Sequence, residues 1–100
     1  MKYNYNTEQE IITHLGNDLI RMKYSIIQNG YVCQEQYEKL DAYLCEDYAH
    51  NIVNILKEET DRDIWYAYSS SSFFVFFDKE RIKEEYAKER ANEFRDYLYN

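Results

Sequence analysis

The chain has no proline, two glycines and two cysteines among its 100 residues, and each shortage excludes something. With so few breakers of periodic structure, long irregular loops are not expected. Gly16 and Gly30 are the only glycines, so there is no glycine-rich loop to cradle a phosphate, and nucleotide or dinucleotide chemistry has no support. Cys33 and Cys45 are too few for a disulfide framework and read as free thiols of a reducing compartment. On one helix, twelve residues would separate them by about 18 Å, where a disulfide needs Cα atoms within about 7 Å. No stretch approaches the roughly 18 apolar residues that span a bilayer. The opening residues 1–6 lack the apolar core of a signal peptide. The expectation is a cytoplasmic protein with no membrane partner. Basic residues are scarce too, 12 against 19 acids, for a net charge of −7. That balance argues against direct binding of DNA or RNA, which takes a basic footprint, and against an anionic membrane surface.

What the chain does have is aromatic surface. Eighteen per cent of the residues are aromatic, and 12 of them are tyrosine. That content argues for a folded chain despite the charge. The length is that of one domain, residues 1–100, with 1–6 as a short polar leader. Thr7 followed by Glu10 is a capping box. From there Ile12, Leu15, Leu19, Met22 and Ile26 recur at steps of three and four, the helical period. Asn29-Gly30 is a stop, because both residues tolerate a left-handed backbone. Tyr31 and Val32 read as a short extended piece. A second helix is predicted from near Gln34 to Glu59, with Tyr37, Leu40, Leu44, Tyr48, Ile52 and Ile55 as its stripe. Asp61-Arg62-Asp63 is a turn. Ile64–Tyr68 and Phe73–Phe77 are rich in strand-favouring side chains, and the four serines between them suit a β-hairpin, although pairing elsewhere is also open. Asp78 is placed to cap a last helix from Lys79 to about Leu98, supported by the i,i+4 pairs Arg81–Glu85 and Glu84–Lys88. The fold class expected is α+β, a small single domain in the order α-α-β-β-α, three helices on a two-stranded antiparallel hairpin. The core should include Leu15, Leu19, Leu44, Ile52, Val75 and Phe94.

No catalytic constellation converges. His14 and Asp18, like Glu46 and His50, stand one helical turn apart, but neither pair has a third ligand at a metal-site spacing. The serine run has no positioned base and no GxSxG element. The sequence therefore predicts no enzyme, no cofactor and no metal. Phe73–Phe77 is apolar on both strand faces, which requires cover on both sides, from helices, from a second subunit or from a docking partner.

The acids are unevenly spread. Between Cys33 and Thr60, seven acids against two lysines leave the segment at −5, more than two thirds of the whole charge. Glu35, Glu38 and Asp41, spaced by three, would project from one helix face with successive rises of about 4.5 Å, and Glu46 and Asp47 would extend the region. Phosphates along a DNA strand advance by about 3.4 Å per nucleotide, so such a row with interspersed tyrosines can imitate a nucleic-acid backbone. In size, negative charge and Tyr and Asn content, the chain resembles the small acidic inhibitors of phages and mobile elements, the anti-CRISPR and antirestriction DNA-mimic proteins. Those proteins share no motif that could be carried over residue by residue. The resemblance implies a partner that is a basic nucleic-acid-binding protein, such as a CRISPR or restriction nuclease, contacted through Glu35, Glu38, Asp41, Glu46 and Asp47. The alternative expectation is a homodimeric structural or regulatory module with the Phe-rich strands in its interface.

Overall fold

Phe73–Asp78 forms the middle strand of a sheet, and that position accounts for its composition. The computed structural model describes residues 7–35, 42–70 and 73–99, with side chains described for all of these except 42–45, 69 and 70. Among the described residues the chain runs α1 (Glu8–Leu15), α2 (Asp18–Asn29), β1 (Tyr31–Glu35), α3 (Ala42–Thr60), β2 (Ile64–Ser70), β3 (Phe73–Asp78) and α4 (Glu84–Tyr99). The strands form one antiparallel sheet in the order β1-β3-β2. Tyr31 to Glu35 lie opposite Phe77 to Phe73. On the other side Ile64 lies opposite Asp78 and Tyr66 opposite Phe76, with a bulge between Tyr68 and Ser70.

Every residue of β3 is buried. Successive side chains of a strand point to opposite faces. Phe74 and Phe76 accordingly join the larger core with Ile11, Met22, Ile26, Ile52 and Leu56 from α1, α2 and α3. Val75 and Phe77 join Ala67 of β2 and Ala87 and Ala91 of α4. The two alanines sit one turn apart on α4, and their small side chains let the helix backbone come close to the sheet. Burial of each large apolar side chain stabilises the fold by about 1.5–3 kcal/mol. The Phe-rich strand is thus covered from both sides by helices of its own chain.

The α+β class and the hairpin agree with the sequence reading, while the element count and order do not. The first helix is two helices. Thr7 Oγ accepts from the Glu10 amide at 3.2 Å as expected, but Gly16 ends α1 with φ +51, and Asn17 starts α2. The second helix begins at Ala42, because Tyr31–Glu35 is committed to pairing with β3. Val32 and Gln34 are buried and alternate with Tyr31, Cys33 and Glu35. Gln34, a buried polar residue, is satisfied by the guanidinium of Arg21. Cys33 is a free thiol on this strand, so it shares no helix with Cys45, whose side chain lies outside the described part.

The third correction concerns Asp78, which caps a turn and not a helix. Its buried carboxylate accepts from the Glu80 amide at 3.0 Å, and its carbonyl accepts from the Arg81 and Ile82 amides. The chain then turns before α4 starts at Glu84. Arg81 therefore lies outside that helix. Its guanidinium donates to the carbonyls of Ile26, Ile27 and Gln28 at 3.2, 2.9 and 3.4 Å, closing the C-terminus of α2, where a cation is favoured. Of the two pairs expected on the last helix, Glu84–Lys88 forms at 3.6 Å. Leu15, Leu19, Ile52 and Val75 are core residues, Phe94 is only half-buried, and the side chain of Leu44 is among those not described.

Candidate partner-binding face

Two strands flank β3, and β2 is the longer. Its side chains Ile64, Tyr66 and Tyr68 share the sheet face covered by α3. Ile64 is fully buried, Tyr66 half-buried, and Tyr68 49 % exposed, so the strand emerges from the core as it runs toward the serines. The Tyr66 and Tyr68 rings stack with centroids 6.3 Å apart and planes 10° from parallel. Trp65 lies 5.1 Å from Tyr66. His50, exposed on α3, meets Trp65 and Tyr66 edge-on, both at 5.5 Å. Offset and edge-to-face arrangements of this kind suit the ring quadrupoles and hold the rings in fixed orientations.

Glu46 stands one helical turn before His50, next to this aromatic group. Burial, then the charge of Glu46, then Tyr68 hold the Tyr66 phenol above its ordinary pKa, so it stays a protonated hydrogen-bond donor throughout the neutral range. Glu46 and Asp47 are both exposed. Among the described residues neither takes part in an ion pair, whereas Lys23, Lys79, Lys88, Arg90 and Arg95 are each matched to an acid. The face thus combines the unpaired carboxylate of Glu46 with stacked phenols and an indole, and Asp47 is exposed beside it on α3.

Not all the predicted acids belong here. Glu35 ends β1, on the far side of β3 from β2. Its carboxylate accepts from Tyr99 Oη of α4 at 3.3 Å, which places it on the α4 side of the sheet. Its charge, followed by desolvation and that hydrogen bond, raises the phenol pKa of Tyr99. Glu38 and Asp41 lie outside the described residues. The expected row of carboxylates along one helix therefore fails at its first member, because residue 35 is a strand residue. The His14–Asp18 pair is also divided, His14 on α1 and Asp18 on α2. The sequence reading missed the association of Trp65, Tyr66 and Tyr68 with Glu46. The spacing of Tyr66 and Tyr68 by two, on a strand, was the available signal.

Among the described residues no group of three or more His, Cys, Asp or Glu side chains is arranged to hold a metal ion, and none of the helices is long and apolar enough to cross a membrane. Cys33, in the groove beside β1, is pushed up to about 11 by burial, against the opposing charges of Arg90 and Arg21, so at neutral pH it is a thiol and not the reactive thiolate. Fold and face together define a small acidic α+β domain with an aromatic, carboxylate-bearing surface. Compared with protein-family models, curated proteins and solved structures, the chain finds no match.

Proposed function

We propose that this chain is a non-enzymatic binding protein, an acidic inhibitor of the anti-CRISPR or antirestriction kind, which docks on the basic nucleic-acid-binding surface of a nuclease. The observation that carries the reading is the exposed carboxylate of Glu46 beside the Tyr66–Tyr68 stack, with Asp47 exposed next to it on α3. Carboxylates can replace phosphates against lysine and arginine, and tyrosine rings can occupy the places where bases stack. Glu38 and Asp41, just ahead of α3 in the sequence, stay in the proposed contact set. Glu35 leaves it, because it faces α4.

The test is a titration of the labelled protein against purified RNA-guided and restriction nucleases, at two salt concentrations and with DNA as competitor. Binding should weaken steeply with salt, since exposed charges are screened, and DNA should displace the protein. The double variant Glu46→Gln, Asp47→Asn should fold normally, because exposed charges add little stability. It should bind about tenfold more weakly or worse. Tyr68→Ala should also lose affinity. Binding indifferent to salt, to DNA and to these substitutions would exclude the nucleic-acid-mimic mode.

A further inference from the structure

The opposite edge of the sheet has a different character. The Asp78 amide donates to the Gly30 carbonyl at 2.8 Å. With Tyr31 opposite Phe77, this bond makes Tyr31–Phe77 a pair that exchanges no hydrogen bonds. The antiparallel alternation then turns the peptide groups of Val32 and Gln34 toward β3 and those of Tyr31, Cys33 and Glu35 away from it. The Tyr31 carbonyl confirms the sense, because it accepts from Ser25 Oγ of α2 at 2.8 Å. Among the described residues, no hydrogen bond engages the Cys33 or Glu35 peptide groups on this outer side. They look into a groove of about 390 Å³, walled by Arg21 and Ser25 of α2 and by Arg90 and Phe94 of α4. The groove continues along the strand past Gln34 and Glu35 as a space of about 290 Å³.

One wall holds an unmet donor. Arg90 gives an Nη2–H to Glu93 at 2.7 Å and lies over the Tyr86 ring at 4.6 Å, but its Nε is buried with no hydrogen-bond partner. Tyr86 in turn packs on Tyr31, so Arg90 sits at the Tyr31 end of the strand. Tyr31, Cys33 and Glu35 share one strand face, and Glu35 brings its carboxylate out on the same α4 side as Arg90, at the other end.

We infer that β1 pairs antiparallel with β1 of a second copy of this chain, across a two-fold axis at Cys33, so that Glu35 of each copy meets Arg90 of the other. The outward peptide groups at 31, 33 and 35 are symmetric about Cys33 and therefore complement themselves. In that register residue 35 of one copy lies opposite residue 31 of the other. Each Glu35 carboxylate then reaches the Arg90 end of the facing groove, where it meets the exposed part of the guanidinium. A closed two-fold contact uses the same patch twice, and here the charges match in both directions. The result is a continuous six-stranded sheet that removes the open β1 edge.

The experiment is analytical ultracentrifugation of the whole chain from micromolar to millimolar concentration, with Glu35→Arg, Arg90→Glu and the double variant. The expected result is a reversible dimer, weakened about tenfold or more by either single substitution, since like charges then face each other, and recovered in the double variant. In parallel, amide exchange of the wild type at low and high concentration should show the Cys33 and Glu35 amides slowing as the dimer forms, with those of β2 unchanged. This second measurement needs no substitution and decides the matter if a charge-swapped chain does not fold. The inference is overturned by a monomer at every concentration, which would leave the groove to an extended segment of another protein. A dimer indifferent to both swaps also overturns it, as does loss in the single variants without recovery in the double, or amide exchange at Cys33 and Glu35 that ignores concentration.

Discussion

The two outer strands of the sheet pair with the same β3 and present opposite chemistry. β2 carries Trp65, Tyr66 and Tyr68 and stands beside the acidic side chains of α3. β1 carries few rings and lies between two arginines, Arg21 of α2 and Arg90 of α4. The net charge of −7 is thus unevenly spread, with unpaired acid beside β2 and charges of both signs, Arg21, Arg90, Glu35 and Glu93, around β1. The proposed basic partner would meet the acidic, aromatic edge, and the proposed second copy the edge with open peptide groups.

The comparison collapses if the shared strand is damaged. Phe76 is fully buried and lies opposite Val32 on one side and Tyr66 on the other. Phe76→Ala should cost about 3–5 kcal/mol, a large part of the 5–15 kcal/mol typical of a domain. Urea unfolding should show this as one cooperative transition in which both edges are lost together. A change below about 1 kcal/mol would mean that the two cores do not depend on β3.

A smaller change should separate the edges. Gly30 leads into β1 with φ +85, and a Cβ there would lie 2.9 Å from Cδ1 of Ile82. The left-handed backbone alone costs an ordinary residue about 1–2 kcal/mol, and Ile82 must also give way. Gly30→Ala should therefore destabilise by at least that amount, and native-state amide exchange should rise at Val32 and Gln34 before it rises at Tyr66. Equal rises on both strands would show that the edges open as one unit.

The finest distinction is in pH. The Cys33 thiol is raised from 9.0 to about 11, chiefly by burial. A raised folded value means that the native state holds its proton where the unfolded state has released it. The stability from this group is complete below pH 9 and is lost as pH rises through about 11. Alkylation at the Cys33 peptide of the native protein, followed by mass spectrometry, should keep accelerating up to about pH 11, whereas the denatured chain should level off above pH 9. Cys33→Ser should flatten the pH dependence of stability in that window. Identical alkylation profiles for native and denatured protein would place Cys33 in solvent.

Local signals were legible where neighbours along the chain decide the outcome. Thr7 caps because its hydroxyl lies within reach of an amide three residues on, and Gly30 stops α2 because few other residues accept its backbone angle. The hairpin of β2 and β3 followed from two strand-favouring runs around the serines. The double-sided apolarity of Phe73–Phe77 required cover on both faces. β1 was read only as a short extended piece at Tyr31 and Val32, because its second inward residue is Gln34, which reads as polar until Arg21 from α2 satisfies it. The break at Gly16 hid inside a stripe that keeps nearly helical spacing across it. Asp78 was read as a helix cap because an acid before a charged run looks like one, and only the packing of Arg81 against the end of α2 diverts the chain into a turn.

The sequence alone determined the class of fold, most of the core, and the excess of acid over base, since these depend on composition and on periodicities carried by neighbouring residues. The tertiary structure decided which acids stand together. Glu35 and Glu46 are eleven positions apart, yet strand pairing assigns one to β1 and the α4 side of the sheet, while α3 carries the other to the rings of β2. A surface is assembled from side chains that meet only after the sheet has formed, and strand order, which places β3 between β1 and β2, is fixed by contacts between segments far apart in the chain.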